Sequence, residues 1–252
     1  MNPLPELAPL GLLLVRPGFL VTAAPVFGMA FAPAPVKASL IGLLAIVLLP
    51  LVTLPPAVAP GTYVLLVGRE AVIGLALATA VRLVVSGAEL AGHLIGFQIG
   101  FAYASLIDPQ SGVRNNLLSA LYGSLVVLVF FAANAHHDLL RALVESYTAL
   151  PIGTGGLDTS LVDVVTRMLG LVFVLGLQLA APLLIVLLIV EVALGLLARV
   201  APSLNLMALG FSVRVLVGLV ALAAVIRLVP PVVARFITPA LGLAADGARV
   251  FR

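Results

Sequence analysis

The sequence predicts an all-α membrane protein built of helical hairpins and kinked helices, and three observations carry that reading. Of 252 residues, 63% are hydrophobic and only 9% charged, whereas soluble domains carry about 25% charged residues. The apolar residues gather in runs of about twenty, the length that crosses hydrocarbon as a helix. A ladder of small residues spaced by four marks a helix face made for close packing.

At about 20 residues per span, the chain has room for one membrane domain of roughly six to eight helices. We take 1–252 as a single domain, with an N-terminal half of about 1–150, helical hairpins over about 151–229 and a tail at 230–252. Nothing points to a soluble second domain. The absence of cysteine excludes disulfides, thiolate metal sites, iron–sulfur clusters and cysteine nucleophiles. Thirteen basic residues against ten acidic ones are scattered singly rather than gathered into a phosphate-binding patch, so nucleic acid is not an expected partner.

Taken in order, apolar runs fall at 10–29, 36–54, 62–86, 88–107, 117–135, 161–200 and 204–229. The first nine residues carry Glu6 and no basic residue, and Arg16 falls inside the first run, which is unlike a cleavable signal peptide. That segment is expected to be retained. Proline-rich breaks come after the first two runs: AFAPAPVK at 30–37 and LPPAVAPG at 54–61.

Within the fourth run Ala88, Gly92, Gly96, Gly100 and Ala104 recur every four residues, forming one stripe without bulky side chains. The stripe predicts a helix ending at Asp108-Pro109, because proline disfavours a helical residue before it. The segment beginning there, DPQSGVRNN, is a polar island between apolar runs. Such islands are tolerated at an interface, inside protein or beside water. The island reads either as a surface turn whose Asn115 or Asn116 caps the next helix or as a loop projecting onto a pore axis.

The run 117–135 ends at His136-His137-Asp138. Adjacent histidines point about 100° apart on a helix and do not chelate jointly, so the cluster reads as an interfacial cap rather than a metal site. The next stretch, 138–150, is amphipathic and too short to span. LPIGTGGLDTS at 150–160 is the longest polar connection and the candidate boundary between halves. As one helix, 161–200 would reach about 60 Å, twice the hydrocarbon thickness. Pro182 near its middle predicts a kink or a tight hairpin with arms of about 18 residues.

Charges in apolar runs need partners, since an unpaired one costs at least about 2.5 kcal/mol at bilayer depth. Arg82, Glu89 and His93 share one helical face, and Asp163 with Arg167 form an i,i+4 pair. Arg69 beside Glu70, Gln178, Glu191, Arg199 and Arg214 add further polarity. These groups read as interhelical or inter-subunit salt bridges, or as a water-lined ion relay. A relay would repeat carboxylates, whereas here arginines outnumber acids. No nucleophile elbow, Walker loop or dinucleotide fingerprint occurs, so an enzyme is not expected.

Three segments together resemble successive signature regions of one family: GFQIGFAYASLIDPQSG at 96–112, FFAANAHHDLLRALVESYTALPIG at 130–153 and LGLLARVAPSLNLMALGFSVRVLVG at 194–218. With RPGFLVTAAPVFG and PAPVKASLIGLLAIVLLP nearer the start, the chain resembles the FliR/SctT family of type III secretion export-gate subunits over essentially its whole length. It departs from the family pattern at Ala135, where glycine commonly precedes the His pair, and at Glu191, often Asn or Asp. Ser212 and Arg214 stand for a common proline and lysine. These departures fit a divergent branch.

The resemblance implies a single-copy, non-catalytic subunit of the core export gate of the bacterial flagellar apparatus. It would sit in the inner membrane at the flagellar basal body, in contact with lipid and without a cofactor. Its implied partners are FliP-like and FliQ-like membrane subunits, an FlhB-like subunit and unfolded export substrates. Such subunits assemble a spiral channel of helical hairpins, largely lifted from the membrane plane, with energy supplied by other components and the proton-motive force. The resemblance also implies that the loop after the glycine-rich helix acts as a plug. At matching positions this runs from Leu106 and Ile107 through Asp108, Pro109, Gln110, Ser111, Gly112 and Val113 to Arg114, Asn115, Asn116 and Leu117.

Two rivals stand beside this reading. One is the equivalent subunit of a virulence injectisome. The other is a small-solute transporter, which predicts broken helices at a midplane site and an internal repeat; no repeat relates 1–150 to 151–252. Basic residues are spread almost evenly, and only Arg227, Arg235, Arg249 and Arg252 point to a cytoplasmic C-terminus.

Overall fold

The structure, a computed structural model, describes residues 4–27, 33–56, 59–101, 117–152, 161–201 and 206–249. Among them every regular element is helical: α1 (Leu4–Ala23), α2 (Ala34–Leu48), α3 (Pro60–Ile99), α4 (Leu117–Ala132), α5 (Ala135–Ala149), α6 (Leu161–Val200), α7 (Leu206–Val225), a 3-10 turn (Ile226–Leu228) and α8 (Val229–Arg249). Three helical stretches, Pro60–Ile99, Asp163–Val200 and Leu209–Asp246, are long and apolar enough to cross a membrane, and the bent pair α4 and α5 passes the same test together. The protein is an all-α membrane protein.

Local chemistry explains most boundaries. Helix α2 begins just after Pro33, with a proline in its first turn, where the missing N–H costs nothing because that donor has no intrahelical partner. Between α4 and α5 the chain turns at Asn134, which adopts φ 56°, a left-handed conformation that asparagine tolerates better than most residues. Helix α5 then buries Ala135, Leu139, Leu143, Ser146 and Tyr147 on one face, as its amphipathic pattern predicts. The 3-10 turn precedes Pro230 and Pro231 at the start of α8; two prolines cannot donate to the preceding turn, so the ladder tightens there.

Two expectations from the sequence give way. The runs 62–86 and 88–107 are joined: α3 continues through Gly87 for 40 residues. A single mid-helix glycine costs only about 1 kcal/mol relative to alanine, and packing at that position outweighs it. The helix also stops before Asp108-Pro109. Gly100 adopts φ 105°, its N–H donates to the Phe97 carbonyl at 3.2 Å, and the Phe101 N–H donates to the Gly96 carbonyl at 2.9 Å. That paired pattern is the Schellman termination, in which glycine closes the helix. Gly100 therefore ends the ladder instead of extending it.

The hairpin alternative at Pro182 is likewise overturned, since α6 runs unbroken from Leu161 to Val200. One proline in a helix interior costs about 3 kcal/mol, whereas Leu179, Ala180, Leu183 and Leu187 around it are all buried. In a bilayer that burial acts through close side-chain packing rather than transfer from water, and the packed helix runs continuously through the proline.

The chain divides into two compact units whose boundaries fall inside helices. The first comprises Met1–Leu83, Phe130–Gly170 and Ile237–Arg252. Its core includes Leu12, Leu13, Leu20, Ile73, Leu77, Leu139 and Leu143, and α1 packs on α2. Helix α3 presses on α1 at two glycines. A Cβ on Gly74 would lie 2.6 Å from the Arg16 carbonyl oxygen, and one on Gly11 would lie 2.5 Å from the Tyr63 hydroxyl.

The second unit comprises Val84–Val129 and Leu171–Phe236, with Ile95, Ile99, Tyr122, Leu175 and Leu183 in its core. Here α3 is the hub, approached by three helices at glycines. A Cβ on Gly92 would sit 2.5 Å from the Leu118 carbonyl oxygen of α4, and one on Gly176 of α6 would sit 2.9 Å from the Gly87 carbonyl oxygen. On α7, Gly218 accommodates Ile99, whose Cγ1 would be 2.7 Å from an added Cβ.

Candidate functional site

A buried arginine organises the first unit. Arg16 on α1 and Glu70 on α3 are both inaccessible to solvent and form a two-pronged ion pair: Nε donates to one carboxylate oxygen and Nη2 to the other. Glu70 is one turn before Gly74 in sequence, so the glycine contact that draws α3 onto α1 also places the carboxylate at the guanidinium. The remaining donors go to the end of α5. Nη1 reaches the Ser146 carbonyl at 2.8 Å and its hydroxyl at 3.2 Å, while Nη2 also reaches the Leu150 carbonyl.

Those carbonyls belong to the negative end of the α5 dipole, where a cation is favoured. The Tyr147 ring lies 4.3 Å from the guanidinium carbon, and its hydroxyl donates to the Leu13 carbonyl at 3.0 Å. Arg16 thus acts as a C-cap supplied from another helix.

The second unit holds a lighter polar node. Glu191 on α6 accepts from Gln98 of α3 at 2.9 Å through one oxygen and from Arg214 of α7 at 2.9 Å through the other. Gln98 stands two residues before Gly100 at the end of α3, and Arg214 one turn before Gly218 in the middle of α7, so the node lies beside the contact between Gly218 and Ile99. The side chains of Glu191 and Arg214 are 46% and 24% exposed, which separates this node from the sealed Arg16 cluster.

The remaining residues singled out by sequence have individual settings. Ala88, Gly92 and Gly96 are buried on α3. Arg82 and His93 are exposed and Glu89 is half-buried, its carbonyl accepting from the Ser119 hydroxyl at 3.1 Å. Arg199 is exposed in the last turn of α6. Asp163 and Arg167 pair at 3.6 Å on a solvent-facing surface. Ala104 and the loop residues Leu106, Ile107, Asp108, Pro109, Gln110, Ser111, Gly112, Val113, Arg114, Asn115 and Asn116 lie outside the described residues, whereas Leu117 opens α4 with its side chain exposed.

The ring centroids of His136 and His137 are 4.1 Å apart, and Phe131 is 5.4 Å from His136. Among the described residues no group of three or more His, Cys, Asp or Glu could hold a metal ion.

Sequence reasoning missed the Arg16 cluster as a unit and the part of Gln98. The signal was present: Arg16 sits mid-run among leucines, and a charge there requires a countercharge and backbone acceptors. Its partners lie 54 and 130 residues away, beyond any periodicity argument.

Helices joined at glycine crossings and fastened by a few buried charges define a multi-helix membrane protein whose polar groups hold helices together. Residues 7–240 match the profile of the bacterial export proteins, family 1, and the chain belongs to that family. It is 32% identical to the flagellar biosynthetic protein FliR of Pectobacterium carotovorum subsp. carotovorum over 230 residues, covering 90% of this chain and 87% of that protein. It is 31% identical to FliR of Escherichia coli K12 over 236 residues, covering 92% and 90%. It is also 30% identical to the Yop proteins translocation protein T of Yersinia pestis, over 155 residues that cover 61% of this chain and 59% of that protein.

Proposed function

We propose that this chain is the FliR-type subunit of the core export gate in a flagellar type III secretion apparatus, helping to form and close the channel that passes unfolded flagellar proteins. The observation that carries this reading is the span of the similarity. Two of the flagellar relatives align over about nine-tenths of both chains, whereas the injectisome relative aligns over 61% of this one. The injectisome subunit is accordingly the second reading.

In this proposal the protein acts as one domain in a hetero-oligomer with FliP-like, FliQ-like and FlhB-like subunits, as a single copy in the bacterial inner membrane. Its role is mechanical, not catalytic. The abundance of large apolar side chains on the surface, such as Leu65, Phe97, Leu128, Phe173 and Leu216, supports cover by lipid and neighbouring subunits. The segment 106–117 would serve as the plug. Proline with a fixed φ and Gly112 with free access to positive φ would shape it, and its apolar neighbours would seal against ions.

The test is recovery of a tagged chain from its native membrane in mild detergent. The expected result is a defined complex with one copy of this chain and other flagellar export subunits. A homodimer or a lone monomer would overturn the assignment, and recovery with injectisome subunits would move it to the second reading.

A further inference from the structure

Helix α1 carries Pro17 in its interior. In an unbroken helix the Leu13 carbonyl would accept from the N–H of residue 17, and proline has none. The prolines inside α6 and α8 have a different setting. Four residues before Pro182 and Pro239 stand Gln178 and Arg235, both exposed, whereas Leu13 is buried. A carbonyl freed inside packed protein needs a donor from elsewhere in the chain.

That donor comes from α5. The Tyr147 hydroxyl donates to the Leu13 carbonyl at 3.0 Å, and Tyr147 is itself buried. Three residues after Leu13, on the same face of α1, the exchange runs in the other direction. Arg16 Nη1 donates to the Ser146 carbonyl at 2.8 Å and Nη2 to the Leu150 carbonyl, at the end of α5 where carbonyls run out of intrahelical donors. Ser146, Tyr147 and Leu150 all belong to the last turn of α5 or its cap.

We propose that α1 and the last turn of α5 form a reciprocal latch, in which each helix supplies hydrogen-bond donors that the other's backbone lacks: Tyr147 stands in for the N–H absent at Pro17, and Arg16 caps the open end of α5. With only one half closed, a buried polar group is left without its partner, so the two halves close together. Both helix segments lie within the first compact unit, and the latch does not depend on the export-gate reading.

A double-mutant cycle on the full chain in detergent tests it. Tyr147→Phe removes the hydroxyl and keeps the ring that lies 4.3 Å from the Arg16 guanidinium carbon; it should lower the melting midpoint by roughly 2–12 °C. In a Pro17→Ala background, which restores an N–H at position 17, the same substitution should leave the midpoint nearly unchanged. Hydrogen exchange reads the other half of the latch. The Leu150 N–H, which donates to the Ser146 carbonyl at 2.9 Å, should exchange about tenfold faster in Tyr147→Phe, although Tyr147 takes no part in that bond. An equal loss of midpoint in both backgrounds, no loss in either, or unchanged exchange at Leu150 overturns the reciprocal latch. Should Tyr147→Phe yield too little folded protein to melt, recovery of the yield by Pro17→Ala supports the proposal and its failure overturns it.

Discussion

Gly87 and Gly176 meet where α3 crosses α6, so closely that a Cβ on Gly176 would lie 2.9 Å from the Gly87 carbonyl oxygen. Neither glycine belongs to the four-residue ladder. The crossing joins two 40-residue helices at their backbones, and a side chain there cannot be absorbed by a rotamer change alone, because backbone stands in the way.

Gly176→Leu should therefore separate the helices and destabilise the chain by at least about 1–3 kcal/mol, the usual range for overpacking. Gly170→Leu, six residues earlier on the same helix with nothing within 4 Å of its Cβ position, should be near neutral. Melting of both purified variants in detergent checks this; equal midpoints would show that α3 and α6 do not pack at Gly176.

Arg16→Met should be among the most damaging single substitutions, since it removes the two-pronged partner of the buried Glu70 carboxylate, at a cost of about 3–5 kcal/mol. Arg16→Met combined with Glu70→Leu should recover part of that loss, as both charges are then gone, although the Ser146 and Leu150 carbonyls stay uncapped. A double-mutant cycle on unfolding free energy measures the coupling. Additive effects would mean that the two side chains do not act as a pair.

Gly100→Ala places a Cβ at φ 105°, a backbone conformation that costs about 1–3 kcal/mol for a residue with a side chain. Gly42→Ala, in the interior of α2 with open space at its Cβ position, should be neutral or mildly stabilising. Hydrogen exchange at the end of α3 reads the difference; unchanged protection there would remove Gly100 as the terminator.

Shortening the loop by deleting Gln110, Ser111 and Gly112 should make cells that carry the assembled apparatus leak ions. The check is membrane permeability measured alongside the yield of intact complex. Normal permeability with full assembly would rule out a plug at this segment.

Fold class was legible in the sequence because composition and run length reflect the solvent directly: a chain with 9% charge has few ways to exist outside a membrane. The amphipathic α5 and the pairing of Asp163 with Arg167 were legible for a related reason, being local patterns of period 3.6. What escaped is non-local or competitive. Whether Gly87 breaks a helix depends on what packs against it, and Pro182 was outweighed by the buried leucines around it. Gly100 shows the limit most clearly, since spacing alone cannot tell a glycine that packs from one that terminates. Glu191 and Arg214, noted separately as departures from a family pattern, proved to be partners of each other at 2.9 Å.

The Arg16 cluster also sets a schedule for synthesis. The guanidinium leaves the ribosome 54 residues ahead of its carboxylate and 130 ahead of Ser146. At about 5–20 residues per second, it waits roughly 3–11 s for Glu70 and roughly 7–26 s for the end of α5. Throughout that interval α1 carries a cation whose permanent companions do not yet exist, which puts a cost of at least about 2.5 kcal/mol on holding it at bilayer depth. The final packing of α1 therefore waits until residues up to Leu150 have been made.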